Sequence, residues 1–292
     1  MNIVLFGKNG QLGWEFQRSL PLLGNVVALD RGDLDLCDLD AIQETLHKTK
    51  PSLIINASAY TDVDGAEKKP DLARTINAQA PGVMADMSRR LGAVLIHYST
   101  DYVFDGEAST PYTEMDRTHP LNVYGKSKLE GEENIKQATD AYLILRTSWV
   151  YSLRGNSFVN KVLGWSRKNS TLRIVDDQVS GPTWARMLAE ITILLLAQNQ
   201  INRYERLRVH SGIYHVAGSG YTSRYEWAKR ILAKDPQRSE QIVQTIEPGR
   251  SIEFPTPATR PLFSALDCSR FEETFGLRLP PWNSTLELAM AG

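Results

Sequence analysis

The sequence predicts an α/β protein: a doubly wound, parallel Rossmann-type sheet, with a smaller and less regular C-terminal α/β domain. Three observations carry this prediction. Short apolar runs alternate with helix-length segments through the first half of the chain. These runs are apolar throughout instead of alternating with polar residues, which is typical of parallel strands covered by helices on both faces. Finally, glycines stand between the first apolar run and the first helical segment.

The first half supplies the predicted sheet in order along the chain. The run "NIVLF" is short and apolar, so it predicts a buried strand, and the helix after it must stop at Pro21 because proline cannot continue a helix. The other segments follow the same reasoning. Strands are predicted at 2–6, 25–30, 52–56, 93–99 and 141–148, and helices at about 11–20, 40–50, 70–91 and 122–138.

After about residue 150 the pattern is less regular. Loops such as "SGPT", "EPGR" and "EFPTPATRP" carry proline and glycine. Strands are predicted at 171–175 and 212–218, and helices at 184–198 and 222–233. We therefore predict a first domain of residues 1–150, with returning segments from about 155–218, and a smaller, interleaved domain of residues 151–292.

Composition and charge exclude several classes of protein. The chain has 292 residues and a net charge of -1, which provides no electrostatic footprint for nucleic acid or an anionic membrane. No apolar stretch reaches membrane-spanning length, and the start "MNIVLFG" is too short and uncharged for a signal peptide. Two cysteines cannot form a metal cluster alone. A cytoplasmic protein is predicted.

Gly7, Gly10 and Gly13 stand between the first strand and the first helix. A tight strand-to-helix turn needs backbone freedom, and a pyrophosphate needs close approach to the N–H groups of a helix N-terminus. The spacing is G-x-x-G-x-x-G and not G-x-G-x-x-G, so a purely structural turn is the alternative. The position directly after the first strand favours dinucleotide binding.

Charged residues near the second strand bear on the choice of nucleotide. Asp30 ends this strand, where a carboxylate would meet ribose hydroxyls, although it could instead cap a turn. Arg31 follows it and Lys8 lies in the glycine loop, so a 2′-phosphate could also be bound. The choice between NADH and NADPH therefore stays open. Asp38, before Leu39, could bracket an adenine or cap a helix.

Thr100, Tyr124 and Lys128 form a candidate catalytic set. Thr100 follows the fourth strand, and the other two stand four apart in "NVYGKSKLEGEE", so the phenol and the ammonium share one helix face. A tyrosine has a pKa of about 10, and a nearby cation brings a phenol closer to the pH at which it must donate its proton. A pair that packs and solvates a surface is the alternative. The glycine loop and the order of the three residues favour chemistry.

Seven segments, in order along nearly the whole chain, resemble those of the extended short-chain dehydrogenase/reductases, and closely those of the dTDP-4-dehydrorhamnose reductases (the RmlD/RfbD type). They are "FGKNGQLGWE", "HYSTDYVFDG", "PLNVYGKSKLEGE", "LILRTSWVY", "DQVSGPT", "GIYHVAGSG" and "TPATRPLFSALD". The tyrosine-x-x-x-lysine element is common to the whole superfamily and says little about the substrate. All seven segments in this order are far more specific.

The resemblance implies a role for each matching residue. Tyr124 would be the proton donor, Lys128 its tuning cation and ribose ligand, and Thr100 the hydrogen-bond partner of the carbonyl. The cofactor would be lined by Gly10, Gln11, Leu12, Asp30, Asp38, Leu39, Ala59, Tyr60 and Thr61, in addition to Gly7, Gly13, Arg31 and the catalytic pair Tyr124 and Lys128. The substrate would contact Thr100, Asp101, Tyr124, Trp149 and Arg260. Core packing for Trp149 and a surface ion pair for Arg260 are the alternatives.

The reaction that the resemblance implies is reduction of the C4 ketone of dTDP-4-dehydro-6-deoxy-L-mannose to dTDP-L-rhamnose by NADPH or NADH, for cell-surface polysaccharide and lipopolysaccharide precursors. Dehydratases of this superfamily typically carry an acidic residue after Thr-Asp, where this chain has Tyr102. Another nucleotide-sugar 4-reductase or an epimerase is the alternative. A non-catalytic regulatory subunit would have a broken triad, and all three residues are present.

The resemblance also bears on partners. The expected small-molecule partner is a dTDP-linked 4-keto-6-deoxyhexose, with no nucleic acid and no membrane. Some family members dimerise through a divalent metal held by acidic side chains, so a homodimer and a structural Mg²⁺ are further expectations. Glu15, Glu190 and Glu287 are present, but acidic helix faces are usually just solvated, and we assign no metal ligands.

Overall fold

The short apolar segments form strands in the computed structural model, which describes residues 1–199 and 202–291. The strands are β1 (Asn2–Phe6), β2 (Asn25–Leu29), β3 (Leu53–Asn56), β4 (Val94–Thr100), β5 (Tyr142–Thr147), β6 (Val150–Tyr151), β7 (Thr171–Val175), β8 (Val179–Ser180), β9 (Thr183–Trp184), β10 (Gly212–His215), β11 (Thr222–Ser223) and β12 (Thr245–Gly249).

Helices follow most of these strands. They are α1 (Gln11–Ser19), α2 (Leu39–Thr49), α3 (Val63–Lys68), α4 (Pro70–Arg74), α5 (Ala80–Leu91), α6 (Val123–Ala138), α7 (Phe158–Ser166), α8 (Ala185–Gln198), α9 (Arg203–Val209), α10 (Arg224–Ala233), α11 (Ser269–Phe275) and α12 (Trp282–Met290). None of the described helices has the length and apolar character needed to cross a membrane.

Six strands form one parallel sheet in the order β10-β5-β4-β3-β1-β2. The chain leaves β1 for β2 on one side and later returns as β3 on the other. The loops after β1 and β3 therefore diverge at the carboxyl edge of the sheet, which opens the crevice where doubly wound proteins bind ligands. The predicted Rossmann-type parallel sheet is confirmed.

Successive residues of a strand point to opposite faces of the sheet, and here both faces are buried. Ile3 and Leu5 enter a core that α1 and α8 cover. Val4 and Phe6 enter a second core, which is covered by α2, α5 and α6. Two buried faces explain why the strands are apolar throughout.

The second half of the chain contributes to two regions. α8 packs on α1, and β10, from the predicted strand at 212–218, forms the edge of the main sheet beside β5. A separate apolar cluster around Trp227 joins β7 to α7, α10 and α12, and β12 pairs with β7. β12 and the helices α7, α9, α11 and α12 are absent from the sequence predictions. The division into two domains stays a prediction.

The predicted helix at 70–91 is interrupted by a π-helical turn at Thr75–Gln79, between α4 and α5. The turn presents Asn77 to two other segments. Its Oδ1 accepts from the backbone N–H of Tyr60 (2.8 Å), and its Nδ2 donates to the carbonyl of Tyr60 (3.1 Å) and to Oγ of Ser127 (3.0 Å). Asn77 thereby ties the loop after β3 to α6.

A buried ion pair fixes α6 against the sheet. Nη2 of Arg146, on β5, donates to Oε2 of Glu132 on α6 (2.6 Å), and Nε donates to Oε1 (2.9 Å). Both side chains are almost wholly buried, at 3% and 0% exposure, and Ser99 on β4 donates a further hydrogen bond to Glu132. The pair and Ser99 therefore connect α6 to β4 and β5, two adjacent strands whose carboxyl ends reach the 700 Å³ cavity.

We expect Glu132→Gln to lower the free energy of unfolding by about 3–5 kcal/mol, because the substitution leaves the charge of Arg146 buried without its partner. The matched control is Glu130→Gln on the same helix, where Glu130 pairs with Arg74 at the surface. That change should cost less than about 1 kcal/mol. Urea denaturation measures both, and equal losses would contradict a special role for the buried pair.

Candidate active site

The loop from β1 into α1 requires glycine at two positions. Gly7 has φ +87°, and a Cβ there would lie 2.9 Å from the backbone of Ala57. A Cβ on Gly13 would lie 1.9 Å from the carbonyl oxygen of Gly7, so α1 packs this closely only without a side chain. Gly10 is the N-cap residue of α1 and has no side chain to occupy the free N–H groups. The loop therefore offers backbone donors to an anion.

Two cavities, of about 700 Å³ and about 250 Å³, border this loop. The larger reaches the carboxyl ends of β3, β4 and β5, and the smaller reaches the end of β2. The predicted cofactor residues in the larger one are Gly7, Gly10, Gln11, Leu12, Ala59, Thr61, Tyr124 and Lys128. Those in the smaller one are Gly7, Gly10, Asp30, Arg31, Ala59 and Tyr60.

Two buried polar atoms on the wall of the 700 Å³ cavity have no hydrogen-bond partner among the described residues. They are Oε1 of Gln11 and Oγ1 of Thr147. Buried polar groups nearly always have a partner, so both atoms are available to a polar ligand. Together with the glycine loop, they fit an extended dinucleotide.

The charged side chains at the β2 end are partly engaged with each other. Asp30 accepts hydrogen bonds from the backbone N–H of Gly32 (2.8 Å) and from the Asn9 amide. Lys8 pairs with Asp33, and this hydrogen bond raises the pKa of Lys8. The Arg31 side chain is 87% exposed. A hydrogen-bonded carboxylate, a paired lysine and an exposed guanidinium thus line or flank this end of the crevice.

Asp38 and Leu39 do not line any of the cavities described here. Oδ1 of Asp38 accepts a hydrogen bond from the backbone N–H of Ala41 (2.9 Å). Asp38 therefore caps α2, which is the alternative to an adenine contact that the sequence allowed. Their proposed contact with the cofactor stays a prediction. In the segment between β2 and α2, it is Leu34, Asp35 and Leu36 that contribute to the wall of the 250 Å³ cavity. Sequence reasoning missed these residues, although the repeated Asp-Leu of "DLDLCDLD" was an available signal.

Thr100, Tyr124 and Lys128 all line the 700 Å³ cavity. Thr100 ends β4, and the other two lie on successive turns at the start of α6. The helix comes this close because of Gly125, where a Cβ would lie 2.2 Å from the carbonyl oxygen of Tyr102. The structure thus brings together the three residues that sequence reasoning selected.

Burial is the largest influence on the phenol of Tyr124 and raises its pKa above the usual value. The nearby hydroxyl of Thr100 opposes this rise in the pKa, while the nearby charge of Asp101 adds to it. The expected tuning of the phenol by Lys128 stays a prediction.

Lys128 is itself buried, with 1% exposure. Its Nζ donates to the carbonyl oxygen of Tyr98 (2.6 Å) and lies 3.0 Å from Nε2 of His97. Burial lowers the pKa of Lys128 to about 8, and the charge of Glu132 opposes this shift. The amine therefore titrates much nearer to neutral pH than an exposed lysine does.

The hydrogen bonds behind Lys128 have a defined direction. The backbone N–H of Ser58 donates to Oδ1 of Asn56 (3.1 Å), so the amide turns its Nδ2 towards Nδ1 of His97 (3.0 Å). Nδ1 must then accept, and a neutral imidazole carries its proton on Nε2, facing Lys128. Burial keeps the pKa of His97 well below its usual value, and the charge of Lys128 adds to this. Because the Nε2–H of His97 faces Nζ of Lys128, and only an uncharged amine has a lone pair to accept it, this arrangement favours the uncharged form of Lys128.

Asp101 is buried behind Thr100. Its Oδ2 accepts from the hydroxyls of Ser180 (3.2 Å) and Ser264 (2.6 Å), and Oδ1 accepts from Oγ1 of Thr100 (3.1 Å). Burial raises the pKa of Asp101 to about 6 despite these hydrogen bonds. The carboxylate connects Thr100 to two segments of the second half, and its proposed contact with the substrate stays a prediction.

A third cavity, of about 1130 Å³, shares lining residues with the 700 Å³ cavity, and both Trp149 and Arg260 line it. The Trp149 ring also stacks on the buried Trp227, so packing and a place on the cavity wall are combined at this residue. Trp149 has φ +41°, an unusual conformation for a side chain of this size. Arg260 also forms an ion pair with Asp64 (2.7 Å), and an ion pair was the alternative to a substrate contact that the sequence left open. Arg224, which sequence reasoning missed because no motif marks it, lies 3.7 Å above the Trp149 ring.

Within residues 1–199 and 202–291, no group of three or more His, Cys, Asp and Glu side chains could hold a metal ion. Each glutamate considered in the sequence has a cationic neighbour: Glu15 pairs with Arg18 (3.4 Å), Glu190 with Arg186 (3.0 Å) and Glu287 with Lys234 (3.0 Å). These contacts do not support the expected Mg²⁺.

Comparisons with known proteins show the family to which the chain belongs. The family described as "RmlD substrate binding domain" matches residues 1–292. The dTDP-4-dehydrorhamnose reductase of Burkholderia thailandensis is 39% identical over 293 residues, which cover 99% of this chain and 98% of that protein.

Two solved structures of dTDP-4-dehydrorhamnose reductases are also similar. The one from Clostridium acetobutylicum superposes with a TM-score of 0.91 at 35% identity, covering 100% of this chain and 99% of that chain. The one from Bacillus anthracis, in complex with NADP, has a TM-score of 0.88 at 33% identity, covering 99% and 98%. The resemblance seen in the seven sequence segments is confirmed, and the chain belongs to the RmlD family.

Proposed function

We propose that the protein reduces the C4 ketone of dTDP-4-dehydro-6-deoxy-L-mannose to dTDP-L-rhamnose with NADPH or NADH, in the cytoplasm, for cell-surface polysaccharide precursors. One observation carries the proposal: Thr100, Tyr124 and Lys128 line the same cavity as the glycine-rich loop. The family relatives of the chain support the same reaction.

The protein's own part in the reaction is to hold the ketone and protonate it. When bound, the reduced nicotinamide supplies the hydride. Tyr124 donates its phenol proton to the ketone oxygen as negative charge develops there, and the hydroxyl of Thr100 hydrogen-bonds the same oxygen. Thr100 has a single hydroxyl proton, which now goes to Asp101. Substrate binding therefore turns this hydroxyl from the carboxylate to the ketone.

The glycine-rich loop and the two smaller cavities would hold the cofactor. Gly7 and Gly10 leave the backbone N–H groups at the start of α1 open to the pyrophosphate, and Gln11 offers an unpartnered amide oxygen. We propose that both cofactors bind. Asp30 would accept a ribose hydroxyl of NADH, and the exposed Arg31 would contact the 2′-phosphate of NADPH.

The 1130 Å³ cavity would hold the sugar nucleotide. Two guanidinium groups on its wall, Arg224 and Arg260, would offer positive charge to a diphosphate. Trp149 lines this cavity and the 700 Å³ cavity, and its ring packs against Trp227 and the guanidinium of Arg224 in a cluster that would border the substrate. The unusual backbone of Trp149 is consistent with a functional position, since such strain concentrates at binding sites. A homodimer and a structural Mg²⁺ stay predictions from the resemblance.

We expect Tyr124→Phe to lower kcat by about 10²–10⁴-fold, which is what a positioned proton donor contributes. Cofactor oxidation with dTDP-4-dehydro-L-rhamnose measures the rate, and calorimetric binding of NADPH should stay near the wild-type value. Tyr142→Phe makes the same change at the far end of β5 and should leave the rate unchanged. An active Tyr124→Phe enzyme would remove Tyr124 from this role. A wild type that oxidises neither cofactor would reject the substrate.

We expect kcat/KM to fall as the pH rises through about 8, because burial lowers the pKa of Lys128 to about 8 and the catalytic ammonium is then lost in the free enzyme. A pH profile of kcat/KM measures this alkaline limb. Lys126→Met, at an exposed position on the same helix, should leave the limb in place. A profile that stays flat until about pH 10, near the ordinary pKa of lysine, would show that burial does not control the charge.

We expect Arg31→Met to lower kcat/KM with NADPH by about tenfold or more and to change kcat/KM with NADH little. The substitution removes a charged contact with the 2′-phosphate, which NADPH has and NADH lacks. Steady-state kinetics with both cofactors measure the ratio. Arg18→Met, on the exposed surface of α1, is the matched control. Equal losses with the two cofactors would exclude a specific contact between Arg31 and the 2′-phosphate.

A further inference from the structure

Arg154 is a cationic side chain on the wall of the 700 Å³ cavity that none of the roles above uses. It lies on the loop between β6 and α7. The central carbon of its guanidinium lies 3.5 Å from the centre of the Trp14 ring. Trp14 belongs to α1 and lines the same cavity, just beyond the glycine-rich loop. The stacking therefore brings a positive charge from the second half of the chain to the phosphate-binding end of α1.

The backbone that carries Arg154 is held on both sides. Oγ of Ser152, a buried residue, donates to the carbonyl of Arg154 (2.9 Å) and accepts from its N–H (3.2 Å). On the other side, Nδ2 of Asn160 donates to the carbonyl of Gly155 (2.8 Å), and buried Ser157 caps α7. The loop is thus placed before a ligand arrives, although the side chain of Arg154 is exposed.

Among the described residues, no carboxylate pairs with the guanidinium of Arg154. The other cation on the wall of this cavity, Lys128, is buried against Tyr98 and His97, and Lys8 in the glycine loop pairs with Asp33. Arg154 forms no ion pair with any residue that the structure describes. A dinucleotide pyrophosphate carries two negative charges, and the α1 N-terminus supplies only partial positive charge.

We propose that Arg154 binds the pyrophosphate of the nicotinamide cofactor, from the loop between β6 and α7, while Trp14 holds its guanidinium in place. A guanidinium matches phosphate oxygens with two parallel N–H donors, and its planar face stacks on an indole without losing those donors. The inference rests on the proposed function, because it takes the bound anion to be that cofactor.

Calorimetric titration of the full chain with NADPH and with NADH tests the proposal without any turnover. We expect Arg154→Met, which removes the charge and keeps an apolar side chain over Trp14, to raise both dissociation constants by a similar factor of about 10–100. Arg154→Lys, which keeps the charge but not the fork, should recover part of the loss. The dissociation constant for dTDP should not change.

The matched control is Arg186→Met. Arg186 also lies over a tryptophan, Trp184, at 5.7 Å, but outside the described cavities, and should not affect cofactor binding. Unchanged NADPH and NADH binding by Arg154→Met, in a protein whose wild type binds both, would overturn this inference and leave the proposed function intact. Weaker binding of dTDP alone would also overturn it and place Arg154 at the substrate. A wild type that binds neither cofactor would overturn both proposals.

Discussion

The buried ion pair between Glu132 and Arg146 holds α6 against the sheet, one helical turn beyond Lys128. Tyr124, Lys128 and Glu132 follow one another at intervals of four, so they lie along one side of the helix. The chemistry and the anchor therefore share one low-dielectric environment. Burial raises the pKa of Tyr124 and lowers that of Lys128 because both residues lie on the side of the helix that the pair draws into the protein.

The loop after β3 connects this helix to the nucleotide crevice. Ser58 lines both smaller cavities, and its backbone N–H starts the chain of hydrogen bonds that runs through Asn56 and His97 to Lys128. The direction of each bond follows from the first, because a backbone N–H can only donate. Groups that line the crevice thus influence the charge of Lys128, which lies one helical turn from Tyr124.

The sequence was informative where local pattern and structure coincide. Buried parallel strands are apolar on both faces, so β1 to β5 could be located closely, and the four-residue spacing placed Tyr124 and Lys128 together. Polar contacts between residues that are far apart in the chain produce no comparable pattern in the sequence. Asp101 and its partner Ser264 stand 163 residues apart. Arg224 and Arg154 lie over the rings of Trp149 and Trp14, which are distant in sequence. The helical pattern of the sequence runs unbroken from 70 to 91, so it does not reveal the π-helical turn that presents Asn77.

That π-helical turn constrains chain length as well as residue identity. It accommodates one more residue than an α-helical turn would, and Asn77 meets the loop after β3 and α6 at this point. Removing a single residue between Thr75 and Gln79 would restore a regular helix and so remove the bulge that presents Asn77 to the loop after β3 and to α6. Homologous chains that keep this crevice should therefore keep both the number of residues in the turn and the amide side chain at the position of Asn77.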